Sequence, residues 1–412
     1  MGHLQTADGG LCAARARSAC RALIRRTGGR VSQSRDILER LIGFASVSSQ
    51  SNLDIIVWIE DFLTRQGYAC HRVPDATGTK AGIFACLGPE GQGGLLLSSH
   101  CDVVPVTGQN WTRDPFVMSE AGGKLYGRGT TDMKGFLACS LAAAANAGKA
   151  DLNRPLKLAV SYDEEVGCLG IRDMIGELGP SIGLPEYCVV GEPTSMQVAI
   201  GHKGKVFLRA TCHGTPGHSA MAPDFLNALH LASDFVTALR RIQADIAAGG
   251  VRDTDYDVPY STVHAGRMEG GVALNIVPDT ATVDFEIRHL AGHEPGDILA
   301  AIRAAADAII APLRERFPVA AIEIEEVKSY PGLDTPADNP FVAVARDCSG
   351  YAGIIKVAYG TEAGYFSSLG IPTVVCGPGN MDQGHKPDEF VAISQLDQCD
   401  AMLARLIGRL CI

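Results

Sequence analysis

Four times between residues 95 and 194 a segment ends on a side chain able to hold a metal ion, and three of these segments are apolar, β-compatible runs. The first reads LLLSSHCDVVP, Leu95 to Pro105. Gly93-Gly94 precede it and Pro105 closes it, so it reads as a buried strand over 94–102. Side chains alternate along a strand. His100 and Asp102 therefore share a face, and Cys101 points the other way. An imidazole can bind an ion through one nitrogen while a carboxylate holds the ring's tautomer. Taken alone, the pair is equally compatible with a surface contact or a satisfied core histidine.

The other three segments remove that ambiguity. Leu156 to Tyr162 reads as a buried strand and delivers Asp163-Glu164-Glu165. Three adjacent carboxylates raise one another's pKa. They form either a solvated turn or a site where one binds a cation and its neighbour acts as a base. Tyr187 to Val190 is a further strand, followed by Gly191-Glu192-Pro193-Thr194. Between them, glycines 127, 129 and 135 surround Asp132, just ahead of an Ala-rich helix over 136–147. By itself Asp132 would be an ordinary N-cap. Ligand sites of α/β sheets lie at the carboxyl ends of the strands. Co-occurrence there carries the metal reading, and it predicts an α/β fold with a mixed central sheet.

Upstream, a helix capped by Ser34 carries Ile37, Leu38, Leu41 and Ile42 on one face. Beyond about Ile200 the pattern changes. Strands over 206–211, 260–267, 281–289 and 321–327 alternate with helices over 226–246 and 297–317. This β-α-β-β-α-β order is that of a ferredoxin-like α+β unit. The predicted organisation is a catalytic domain over 31–198 and 330–412, with an inserted lid or dimerisation domain over 199–329. Residues 1–30 are rich in arginine, with no acidic residue between Asp8 and Asp36. That composition suits a disordered extension or a transit peptide, and it reads here as the former. A net charge of −10 argues against a nucleic-acid footprint, and no run is long enough to span a membrane. The 13 cysteines, odd in number and without a Cys-x-x-Cys pair, suit reduced thiols in the cytoplasm.

The motifs SSHCDVVP, GRGTTDMKG, SYDEEVG, GEPT and GHKPDEF, in that order, resemble the zinc-dependent aminoacylase and carboxypeptidase family of co-catalytic metallohydrolases. The resemblance runs from about Ser34 to the C-terminus. It implies that Asp132 bridges two metal ions, that His100 and Glu192 complete one site, and that Glu165 and His385 complete the other. It also implies that Asp102 orients His100, that Glu164 is the general base, and that His218 of the small domain assists catalysis. Asn275 and Arg288 match substrate-holding positions. Cys101 departs from the residue often found there, and the pleat excludes it as a ligand. Softer signals, WTRDPF, GEPTSMQVAIGHKG and Tyr359-Gly360-Thr361-Glu362-Ala363, are similar to those of acetylornithine deacetylases. This implies hydrolysis of N2-acetyl-L-ornithine, a step of arginine biosynthesis, by a homodimer. Desuccinylases of succinyl-diaminopimelate, acetylcitrulline-type deacetylases and metallo-carboxypeptidases remain alternatives.

The chemistry agrees with the resemblance. Amide hydrolysis needs an activated water and a stabilised oxyanion, and two ions about 4 Å apart supply both. Imidazole and carboxylate ligands suit zinc and tolerate cobalt. Glu164 would move the proton, His218 would donate to the oxyanion, and Arg288 would clamp an α-carboxylate. Glu362 is a candidate, on position alone, to meet the substrate's amine.

Overall fold

A computed structural model describes residues 33–411. The arginine-rich stretch 1–30 lies outside the described residues. The chain forms two compact units, one of residues 33–200, 335–355 and 361–411, the other of Gly201–Asp334 and Lys356–Gly360. The sequence pattern places 330–334 and 356–360 with the larger domain, whereas both belong to the smaller unit. In the structure the Lys356 ammonium lies 2.6 Å from Asp253 and 2.9 Å from Asp334, and these two ion pairs tie it into the smaller unit.

The large unit is built on a mixed sheet in the order Ala69–Pro74, Ala81–Leu87, Leu156–Ser161, Leu95–His100, Tyr187–Pro193, Thr373–Gly377, Val198–His202. The four strands from Leu156–Ser161 to Thr373–Gly377 run parallel. Parallel strands covered on both faces bury every side chain, and so they read as unbroken apolar runs. Leu95–His100 and Leu156–Ser161 are buried at every position. Lys157, inside one of these runs, reaches out to the carbonyls of Gly91 and Gly183 at 3.0 and 2.8 Å.

The helix Lys134–Ala147 is buried on nearly all sides. Its alanines and glycine allow a close approach to the sheet: a Cβ on Gly191 would fall 1.8 Å from the Phe136 ring. Helices Gln33–Ile42 and Ile393–Leu410 pack against it. Ser34 does not cap the first of these. It lies inside the first turn, and its hydroxyl donates to Asp400 at 2.6 Å, joining the first and last helices.

The small unit has a four-stranded antiparallel sheet ordered Thr262–Gly270, Thr280–His289, Gly204–His213, Ala321–Tyr330. Burial alternates strictly along Gly204–His213. The inward residues Val206, Leu208 and Ala210 join Phe235 and Ile302, from helices Ala228–Gly249 and Pro295–Ile310, in one core. A short ribbon pairs Gly217–His218 with Ile276–Val277. Among the described residues no helix is long and apolar enough to cross a membrane, and every cysteine is a free thiol.

Candidate metal centre

The strand Leu95–His100 lies between Leu156–Ser161 and Tyr187–Pro193, parallel to both, so three carboxyl ends open side by side. His100 ends the middle strand and is fully buried. Its Nε2 lies 3.1 Å from Asp132 Oδ1 and 3.5 Å from Glu192 Oε1. Its Nδ1 lies 3.0 Å from the main-chain carbonyl of Asp102 and 3.4 Å from that residue's carboxylate. The shorter contact that orients the ring therefore comes from the backbone. The Asp102 carboxylate instead accepts from Ser48 Oγ at 2.7 Å and from the amides of Glu164 and Glu165 at 3.1 and 3.4 Å. It thereby fixes the turn that carries both glutamates.

Asp132 is not an N-cap. That position belongs to Met133, which makes no side-chain cap bond. The Asp132 carboxylate is shared, with Oδ1 on His100 and Oδ2 3.0 Å from His385 Nε2. The same imidazole nitrogen lies 2.9 Å from Glu165 Oε2. Donor atoms of His100, Glu164 and Glu192 lie within 4.8 Å of one another, as do those of His100, Asp132 and Glu165. Glu164 Oε1 accepts from the Cys168 thiol at 3.3 Å. Cys101 is buried, with its sulfur 3.3 Å from the Asn52 amide nitrogen.

Five carboxylates thus crowd two imidazoles. Burial raises the Asp132 carboxyl, but the two histidines beside it outweigh burial and hold it well below the usual range. Burial pushes Glu192 well up, reinforced by Asp132. Burial likewise pushes Glu164 well up, with Glu165 and Asp132 adding to it against His100. Glu165 rises to about 7 through burial and Asp132. Hydrogen bonds to Asp132 and Glu165 lift His385 to about 10. Glu165 Oε1 and Glu192 Oε1 are buried without a hydrogen-bond partner. Orphaned carboxylate oxygens facing an excess of negative charge are what a bound cation would satisfy. The imidazole and carboxylate donors fit a divalent cation.

The remaining expected residues are not among these donor groups. His218 and Asn275 are neighbours in the small unit, where the Ser219 amide donates to the Asn275 carbonyl at 3.0 Å. His218 is exposed, and its Nδ1 accepts from the Ala220 amide at 3.1 Å. The ring proton is therefore on Nε2. Arg288 Nε donates to Glu286 at 2.8 Å, so part of its fork is already engaged. Glu362 is 1% exposed and accepts from Ser161 and, at 3.4 Å, from Ser98. It lies beneath the strand ends rather than on an open wall. Sequence reasoning assigned no role to Glu389, which binds three backbone amides around Asp132. Its only signal was its place in GHKPDEF.

A family profile described as peptidase family M20/M25/M40 matches residues 96–409. An acetylornithine deacetylase of Aliivibrio fischeri is 31% identical over 388 residues, covering 92% of this chain and 98% of the relative. Among solved structures, an M20 family metallo-carboxypeptidase from Sulfolobus solfataricus superposes with a TM-score of 0.74 at 18% identity, over 92% of this chain and 99% of the other. A dinuclear metal-binding M20 peptidase from Bacillus subtilis gives 0.66 at 16% identity, over 95% and 98%. These two likenesses bear on the fold.

Proposed function

Because the chain belongs to peptidase family M20/M25/M40 and is a metal-dependent hydrolase, we propose that it cleaves the amide bond of N2-acetyl-L-ornithine to acetate and L-ornithine at a dinuclear centre. The observation that carries this reading is the Asp132 carboxylate, shared between His100 and His385. One ion would take Asp132, His100 and Glu192, the other Asp132, Glu165 and His385. The similarity to acetylornithine deacetylases supports the substrate. Zinc suits the donors best and cobalt next. The proposed state is a cytoplasmic homodimer.

Bound cations supply Lewis acidity for activating water and polarising an amide carbonyl. The chain's own groups do the rest. Glu164 is held at its backbone by Asp102, and its burial favours the proton-holding form. It takes a proton from the attacking water and returns it to the departing amine, so the cycle is proton-neutral. His218 presents an Nε2–H suited to a developing oxyanion. Arg288 and Asn275 would hold the substrate's carboxylate end. Buried Glu362 would act on a substrate ammonium through its charge rather than by open contact.

Initial rates of the zinc-loaded chain on N2-acetylornithine, N-succinyl-diaminopimelate and N-acetylmethionine, beside a Glu164→Ala control, test the reading. Preference for acetylornithine with a loss of about 10²–10⁴-fold in the control is expected. Preference for another substrate overturns the specificity and leaves the centre standing. Full activity in the control removes Glu164 as the base.

A further inference from the structure

Two residues outside the proposed ligand set reach the loops that carry Asp132 and His385. The Glu389 carboxylate is 1% exposed, and all four of its acceptor positions are filled. Oε1 takes the amides of Thr131 at 2.9 Å and Asp132 at 3.1 Å; Oε2 takes the Gly129 amide at 3.0 Å and the Arg128 guanidinium at 2.6 Å. Arg128 in turn donates to Gln109 Oε1 and lies over the Trp111 ring, 5.0 Å from its centre. Gln109 Nε2 donates to the main-chain carbonyl of His385 at 3.0 Å, and the Trp111 indole donates to Gln109 Oε1 at 3.0 Å. A buried carboxylate thus grips the backbone at Asp132, and a guanidinium relays that grip to the amide holding His385.

We propose that Glu389 is a positioning residue for both cations and Gln109 for only the one that His385 would hold. The proposal rests on the dinuclear reading. Asp132 is common to both positions, so loosening its backbone must weaken both. Gln109 touches the His385 loop and leaves His100 and Glu192 alone. Outer partners that orient ligands typically change metal affinity about 10–100-fold.

The test uses the full chain stripped of metal and titrated with Zn²⁺ against a competing chelator, with circular dichroism as a check on folding. Glu389→Gln keeps the volume but removes two acceptor positions and turns an NH₂ toward backbone N–H groups. It is expected to weaken both ions by about 10–100-fold. Gln109→Ala is expected to weaken one ion and leave the other at wild-type affinity. Wild-type loading in Glu389→Gln, or equal weakening of both ions in Gln109→Ala, overturns the proposal. Should Glu389→Gln fail to fold, the split in Gln109→Ala decides alone. A wild-type chain that holds a single ion overturns the dinuclear reading, and the split with it. Two ions in the wild type, with either wild-type loading in Glu389→Gln or an unsplit Gln109→Ala, overturn the positioning role alone.

Discussion

His100 and His385 grip opposite oxygens of Asp132, yet they are built by different means. His100 ends a strand buried at every position and is itself fully buried. Its other partner, Glu192, ends a neighbouring strand. His385 sits in a loop, in the left-handed region at φ 60°, with its side chain 46% exposed. Sheet hydrogen bonds hold the first histidine. Side-chain contacts hold the loop of the second: Gln109 donates to the His385 carbonyl, and Asp388 accepts from the amide and the hydroxyl of Thr112. One half of the site is therefore buried in the sheet, and the other is partly open to water.

Substitution of the shared carboxylate should erase the contrast. Asp132→Ala is expected to lose both ions and all activity, as elemental analysis and rates would report. The separate histidines should then restore it. His100→Ala leaves buried carboxylates uncompensated, and thermal unfolding should show a loss of about 3–5 kcal/mol. His385→Ala should fold normally and retain one ion per chain; retention of two would mean that the loop side is not a ligand position.

The two sides also differ in their pH response. In the metal-free protein, Asp132 and Glu165 raise His385 to about 10. The folded chain then keeps a proton that the unfolded chain releases near 6.5. Stability from this group is full below about 6.5 and declines as pH rises toward about 10. His385→Asn should flatten that slope in denaturant titrations. Glu362 belongs to the buried side, where burial raises it to about 7 from 4.5. Its contribution is full below about 4.5 and lost by about 7, so the advantage of metal-free Glu362→Gln over wild type should grow as pH rises from about 4.5 and level off above about 7. The smallest effect is expected from Ser48→Ala. It removes one hydrogen bond to Asp102 and should cost about 1 kcal/mol, with both ions still bound.

How legible each part was follows from the kind of signal it leaves. Buried parallel strands are contiguous apolar runs, so Leu95–His100, Leu156–Ser161 and Tyr187–Pro193 could be read directly, together with the acidic or imidazole residue at each end. The small unit's strands and helices showed in their alternating and helical periodicities. Loops leave no period. Asp132 could not be told from an N-cap, because that choice depends on which way a glycine-flanked turn faces. Glu389 binds main-chain amides, a role that any acidic residue could hold and that sequence spacing does not mark. Lys356–Gly360 belongs to the small unit through ion pairs with Asp253 and Asp334, distant in sequence and ordinary in type.

The contact between Gly191 and Phe136 has an evolutionary consequence. Any side chain at Gly191 would collide with the helix beneath, and one at Gly377 would meet the Gly191 carbonyl at 1.9 Å. The strand that presents Glu192 can therefore be neither lifted nor padded from below. New specificities on this scaffold must arise by changing loops above an immovable base, and a mutant library aimed at new substrates would spend its diversity poorly at either glycine.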